Sequence, residues 1–178
     1  MRWHRARGVT LVEQAMVVAI MATLIGAAMP SMRRLLDRNR LQTAQADFIG
    51  ALHHTREAAV LARQAAVFCP SHDGQQCADE ERWDHGWLLA ADGDHDNQPD
   101  GQPLFVNGSY GPLTIQSTAG RRHVRFQADG SAHGSNLTFV FCRRGRAEQA
   151  LSVVVANSGR IRGGRASVAQ AASCAQQQ

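Results

Sequence analysis

The side chains best equipped for chemistry are arginines near the C-terminus, in the run Ser158-Gly159-Arg160-Ile161-Arg162-Gly163-Gly164-Arg165. A guanidinium grips phosphate oxygens in a fork and keeps its charge at physiological pH. Arg160 and Arg162 alternate about Ile161, so in an extended segment both point to one side while Ile161 packs inward. The glycines let the backbone approach a ligand closely. Charge adds Arg143, Arg144, Arg146 and Arg165 to the candidates. All 19 basic residues of the chain are arginine, and they are unevenly spread. Residues 1–63 hold nine Arg against four acids, residues 64–120 one against nine, and residues 121–178 nine against two. A basic C-terminal third suits a polyanion. Two plainer arrangements use the same charges: a solvated basic face, or arginines paired with the acidic middle of the same domain.

Other clusters carry less chemistry. The stretch Asp92-Gly93-Asp94-His95-Asp96-Asn97-Gln98-Pro99-Asp100-Gly101 places oxygen ligands at alternate positions, as a calcium loop does. Counted from Asp92, however, the twelfth position is Pro103 where an EF-hand needs Glu, and strands flank the loop instead of helices. An Asx-rich turn uses the same residues for backbone reasons and is the expected form. The eight histidines show no metal spacing, and His53-His54 are helix neighbours that point apart. No Walker loop, nucleophile elbow or HExxH motif is present. Neither an enzyme, a cofactor nor a metal centre is expected.

The elements that must position these arginines follow from periodicity. An apolar run over residues 9–29, interrupted by Glu13, is long enough to span a bilayer. A carboxylate inside such a run costs about 2.5–3.5 kcal/mol at a helix centre, so Glu13 needs a reason to be there. Arg2, Arg5 and Arg7 precede the run, which predicts a cytoplasmic N-terminus and an exported C-terminal part. Residues 30–66 continue as an amphipathic helix: Leu41, Ala44, Phe48, Leu52, Thr55, Ala59 and Ala66 share one face. Arg33, Arg34, Arg38 and Arg40 lie largely off that face, just beyond the span, where solvent, lipid headgroups or DNA can meet them. Pro30 need not end the helix, since the pattern resumes after it.

From residue 67 to 178 the chain is expected to form a β-rich domain. Its strands are predicted at 66–69, 83–91, 103–106, 113–117, 123–127, 137–142 and 151–156, with the arginine-rich segment 157–178 last. The fold class is therefore α+β, a long N-terminal helix on an antiparallel sheet or β-sandwich. The four cysteines of an exported domain favour disulfides, and three pairings are possible. Cys69–Cys77 would close a hairpin-sized loop and Cys142–Cys174 would pin the tail to a strand; these two are expected.

The N-terminal residues Gly8-Val9-Thr10-Leu11 with Glu13 resemble the processing signal of type IV pilins. That resemblance implies cleavage of the leader, residues 1–8, between Gly8 and Val9 by a prepilin peptidase, with methylation of the new terminus. Glu13 becomes the fifth mature residue, implied to meet the N-terminal amine of a neighbouring pilin during assembly. Further along, Phe68-Cys69, Trp83, Gly86-Trp87, Phe126, Gly130, Phe141-Cys142 and Gly159-Arg160-Ile161-Arg162 are similar to the minor-pilin family that contains GspH and FimT. The last four match the Gly-Arg-x-Arg ending of FimT-type members, which implies that Arg160 and Arg162 contact double-stranded DNA and serve natural transformation. The family also implies a single pass through the inner membrane, in contact with its lipid, with the globular domain in the periplasm and later on a surface pilus. The alternative role within the family is a structural minor pseudopilin of type II secretion.

Overall fold

A computed structural model describes residues 10–118 and 120–176. The leader 1–8 and the Gly8–Val9 junction lie outside the described residues. The first helix, α1 (Leu11–Ala62), contributes to two compact units, residues 1–38 and 39–178.

In the first unit, Thr10 caps α1: its Oγ1 accepts the backbone N–H of Glu13 at 3.2 Å. Glu13 thus sits in the first turn, where the helix dipole favours a carboxylate. The side chains of Leu11, Met16, Val18, Ile20, Leu24 and Ile25 are exposed. By length and composition the helix can cross a membrane. It runs on past Pro30.

The second unit contains every buried core residue and both disulfides. Here α1 buries Leu41, Ala44, Phe48, Leu52, Thr55 and Ala59, the stripe expected from the three-to-four spacing. The helix ends at Ala62 rather than 66. Arg63 adopts a left-handed φ of 53°, and Gln64 N–H closes back on the Ala59 carbonyl at 3.3 Å. Ala66 is then already in a strand, paired with Ala91 and Phe126.

Two antiparallel sheets follow. Sheet A has the order β3-β2-β1-β5, from β1 (Ala66–Pro70), β2 (Trp87–Ala91), β3 (Phe105–Asn107) and β5 (Val124–Phe126). Sheet B has the order β4-β6-β7-β8, from β4 (Leu113–Ser117), β6 (Leu137–Arg143), β7 (Arg146–Val155) and β8 (Ile161–Arg165). Two boundaries differ from expectation. Trp83 is buried but precedes the strand, where Arg82 makes a lone bridge to Gln116. β7 starts at Arg146 instead of 151, because Arg143 pairs with Arg146 and carries the ladder through polar residues that show no apolar alternation.

One core joins α1 to both sheets, and Phe48 stands at its centre among Phe68, Trp83, Trp87, Tyr110, Phe139 and Phe141. The C-terminal tail forms a second helix, α2 (Val168–Gln176), where only a pinned tail was expected. Its signal is present in the sequence as the capping box Ser167-x-x-Gln170: the Ser167 N–H donates to Gln170 Oε1 at 2.9 Å, and the Gln170 N–H to Ser167 Oγ at 3.3 Å. The disulfides are Cys69–Cys77 and Cys142–Cys174, as expected.

Candidate nucleic-acid interface

β8 is the free edge strand of sheet B, and its conformation is set by glycines. The turn before it returns the chain through Gly159, at φ 76°, with its N–H on the Ala156 carbonyl at 2.8 Å. Gly159 packs on Gly130: a Cβ added there would run into the Gly130 carbonyl oxygen. Arg56 of α1 donates Nε–H to that same carbonyl at 2.9 Å. The expectation that Gly159 opens the backbone to a ligand is therefore replaced by an internal reason. It lets the hairpin close on the helix.

Gly163 has a similar role. A Cβ at this position would meet Ile49 Cδ1 at 2.8 Å and Gln45 Nε2 at 3.2 Å. Gln45 Nε2 donates to the carbonyls of Ser152 and Gly164, at 2.8 and 2.9 Å, and so fastens the edge strand to the helix. Ile161 packs on the core. Strand alternation then turns Arg162, opposite Val154 in the ladder, to the face away from the helix, while Arg160 lies in the turn just before the strand. Arg165, opposite Leu151, falls on the other side. Arg160, Arg162 and Arg165 are exposed and have no acidic partner among the described residues.

Many of the remaining arginines are committed within the fold. Arg125 donates Nε–H to buried Asp92 at 2.7 Å, and its Nη2 to the His95 carbonyl and Asn97 Oδ1. The acidic loop is thus built around a guanidinium. Asp94 and Asp96 make Asx turns to the N–H groups of Asp96 and Gln98. The carboxylates of Asp92, Asp94 and Asp96 lie within 4.8 Å of one another, with one already held by Arg125. Burial, together with the charge of Arg125, pushes His123 below its usual range. Arg122 pairs with Asp79 at 2.6 Å, and Arg82 holds buried Asp84 through two bonds of 3.1 and 2.6 Å.

This network separates the candidates. Arg144 reaches 3.9 Å from Asp84, on a cavity of about 470 Å³ lined by Arg82, His85, Arg144 and Gly145. Arg143, Arg144 and Arg146 sit at the β6–β7 hairpin, at the far end of β7 from the turn that holds Arg160. A bulge takes up residues 147–150 opposite Cys142, so at roughly 3.3 Å per residue the ladder separates Arg143 and Arg146 from Arg162 by about 17 Å. The six candidate arginines are not one patch. Arg160 and Arg162 lie at one end of the ladder, Arg143, Arg144 and Arg146 at the other, and Arg165, opposite Leu151, lies between them.

A long apolar helix leading into a domain of two antiparallel sheets defines a pilin-like minor pilin or pseudopilin, a class whose members assemble with other pilins. The family model described as type II transport protein GspH matches residues 44–159, and the chain belongs to that family. No curated protein matches the sequence. Among solved structures, the type IV minor pilin FimU of Pseudomonas aeruginosa PAO1 is similar in fold, with a TM-score of 0.60 at 21% identity over 76% of this chain and 94% of that one. A second crystal form of FimU gives a TM-score of 0.57 at 22% identity, over 70% and 92% of the two chains. The minor pseudopilin EpsH of the type 2 secretion system of Vibrio cholerae gives 0.51 at 11% identity, over 71% and 97%. Arg160, Arg162 and Arg165 lie just beyond the stretch matched by the family model.

Proposed function

We propose that this minor pilin binds double-stranded DNA without sequence preference through Arg160 and Arg162, and that it supports DNA uptake in natural transformation as part of a type IV pilus. One observation carries the proposal. Arg162, on an edge strand, and Arg160, in the turn that leads into it, are both exposed and have no acidic partner among the described residues, whereas Arg82, Arg122 and Arg125 are bound to acids. Two guanidinium forks two residues apart suit phosphate oxygens, which carry no sequence information.

A gel-shift titration of residues 39–178 against duplex DNA at several salt concentrations tests this. Binding should weaken steeply with salt, by a slope of about −0.9 per phosphate neutralised. Arg160→Gln with Arg162→Gln should flatten that slope by up to about two units. It should also lower transformation while leaving pilus assembly intact. Arg160→Lys should lose part of the affinity, because the fork is gone though the charge remains. A folded double variant that binds like the parent at every salt concentration would remove the assignment. The structural pseudopilin role, which the GspH family match favours, would then stand.

The proposal extends to the N-terminus. A prepilin peptidase cuts between Gly8 and Val9, Glu13 acts in assembly, and residues 9–29 anchor the protein in the inner membrane, against its lipid, with the domain in the periplasm. Mass spectrometry of membrane-extracted protein should find methylated Val9 first; an intact Met1 in cells with an active peptidase would refute the processing step.

A further inference from the structure

Sheet A ends at β3, whose outer edge carries no strand among the described residues. Edge strands are ordinarily guarded by charge, proline or bulges, which keep their unpaired backbone from recruiting another chain. This one has no charge. Leu104, Phe105 and Val106 are 59, 57 and 46% exposed. The strip is nevertheless held in place. The Phe105 ring stacks on Trp87 with centroids 5.8 Å apart, and Val106 lies close enough to Gly74 that a Cβ there would meet its Cγ1 at 2.8 Å. Gly74 belongs to the loop closed by Cys69–Cys77.

A groove of about 380 Å³ adjoins the start of β3, lined by Gln75, Gln76, Gln98, Pro99, Gln102 and Pro103, with Gly101. Gln98 fixes its floor, accepting the Cys77 N–H at 2.9 Å and donating to the Cys77 carbonyl at 3.3 Å. Side-chain amides offer both donors and acceptors to a peptide main chain. The loops beside β3 expose Asp73 and Asp100, and residues 83–120 contain no arginine or lysine.

We propose that the free edge of β3 is the docking strand for an extended segment of a neighbouring pilin in which apolar residues alternate with arginine or lysine. Main-chain pairing with the edge supplies affinity, the apolar residues extend the face of Leu104 and Val106, and the cations answer the nearby carboxylates. The charge of the region excludes an acidic segment and makes DNA itself a poor occupant.

The test uses residues 39–178 and a fluorescent peptide of about eight residues alternating Val and Arg, a length that matches a strand. The peptide should bind, and the amides of residues 105–107 should gain protection from hydrogen exchange in its presence. Alternating Ser-Arg and Val-Glu peptides should bind at least about tenfold more weakly, a difference of about 1.4 kcal/mol. Leu104→Arg with Phe105→Arg should lose binding to a similar degree. Asp73→Asn with Asp100→Asn, which leaves β3 untouched, should weaken binding a few-fold and decides the matter should the arginine variant misfold. Equal binding of the Ser-Arg peptide, or no added protection at residues 105–107, would overturn the proposal. So would a dimer of the free protein that Leu104→Arg dissolves, since the occupant would then be a second copy of this chain.

Discussion

Replacing Phe48 by alanine is expected to lower the stability of the 39–178 unit by about 4 kcal/mol. The ring is fully buried and meets six others, with centroids 5.0 Å from Phe141, 5.2 Å from Phe139 and 5.5 Å from Phe68. Five of these contacts, to Phe68, Trp83, Trp87, Phe139 and Phe141, are edge-on arrangements that stabilise beyond area burial, by roughly 0.5–1.5 kcal/mol each in isolation. The six partners come from both sheets and the loops between them and cannot all collapse inward, so a cavity remains and adds its own cost. Phe48→Leu should lose much less, about 1–2 kcal/mol, because the volume is largely kept. Urea unfolding of the parent and both variants measures this. A loss below about 1.5 kcal/mol for Phe48→Ala would mean that this ring does not join the two sheets to the helix.

Removing the Cys142–Cys174 disulfide is the second large effect. The bridge spans a sequence separation of 32, against 8 for Cys69–Cys77. In the loop-entropy model it stabilises by about 3–4 kcal/mol, and the shorter one by about 2–3. The larger effect also has a local site. Cys174 and Ala171 are the residues through which α2 buries itself on Val140, Cys142 and Ala150 of sheet B. A helix of nine residues is marginal by itself. Cys142→Ser with Cys174→Ser should therefore lower the urea midpoint more than Cys69→Ser with Cys77→Ser. It should also release the α2 amides to hydrogen exchange while the β6 and β7 amides stay protected. The reverse order of stabilities, or an α2 as protected as in the parent, would contradict this account.

The arginine-rich ending shows how a short motif mixes two purposes. Gly159 and Gly163 are explained within the molecule, by the close approach of Gly130 and of Ile49 with Gln45. Arg160 and Arg162 are not, since neither has an acidic partner among the described residues and both are exposed. The motif thus joins a hairpin that must be glycine to pack on α1 with a pair of charges that packing does not need. Substituting Gly159 would disturb the hairpin before it reported on any ligand, which makes the arginines the informative positions.

Much of this was legible in the sequence, wherever the determinant is local. The stripe of α1 from Leu41 to Ala59 follows from a 3.6-residue period, and the runs that became β4 and β6 from short β-branched and aromatic segments between turns. The cysteine pairing followed from loop size and export. The α2 capping box is equally local, but the alanine- and glutamine-rich tail behind it carries little apolar pattern. The rest depended on tertiary structure. Which arginines are spent on the acidic middle cannot be seen in a charge count, because Arg125 meets Asp92 and Arg122 meets Asp79 only after β5 pairs with β1 and the loops converge. The polar start of β7 is a strand only because Arg146 lies opposite Arg143 across the hairpin. The separation of Arg143, Arg144 and Arg146 from Arg160 and Arg162 is likewise a consequence of pairing. Composition places all five in one basic third, and the pairing of β6, β7 and β8 holds the two groups at opposite ends of the ladder.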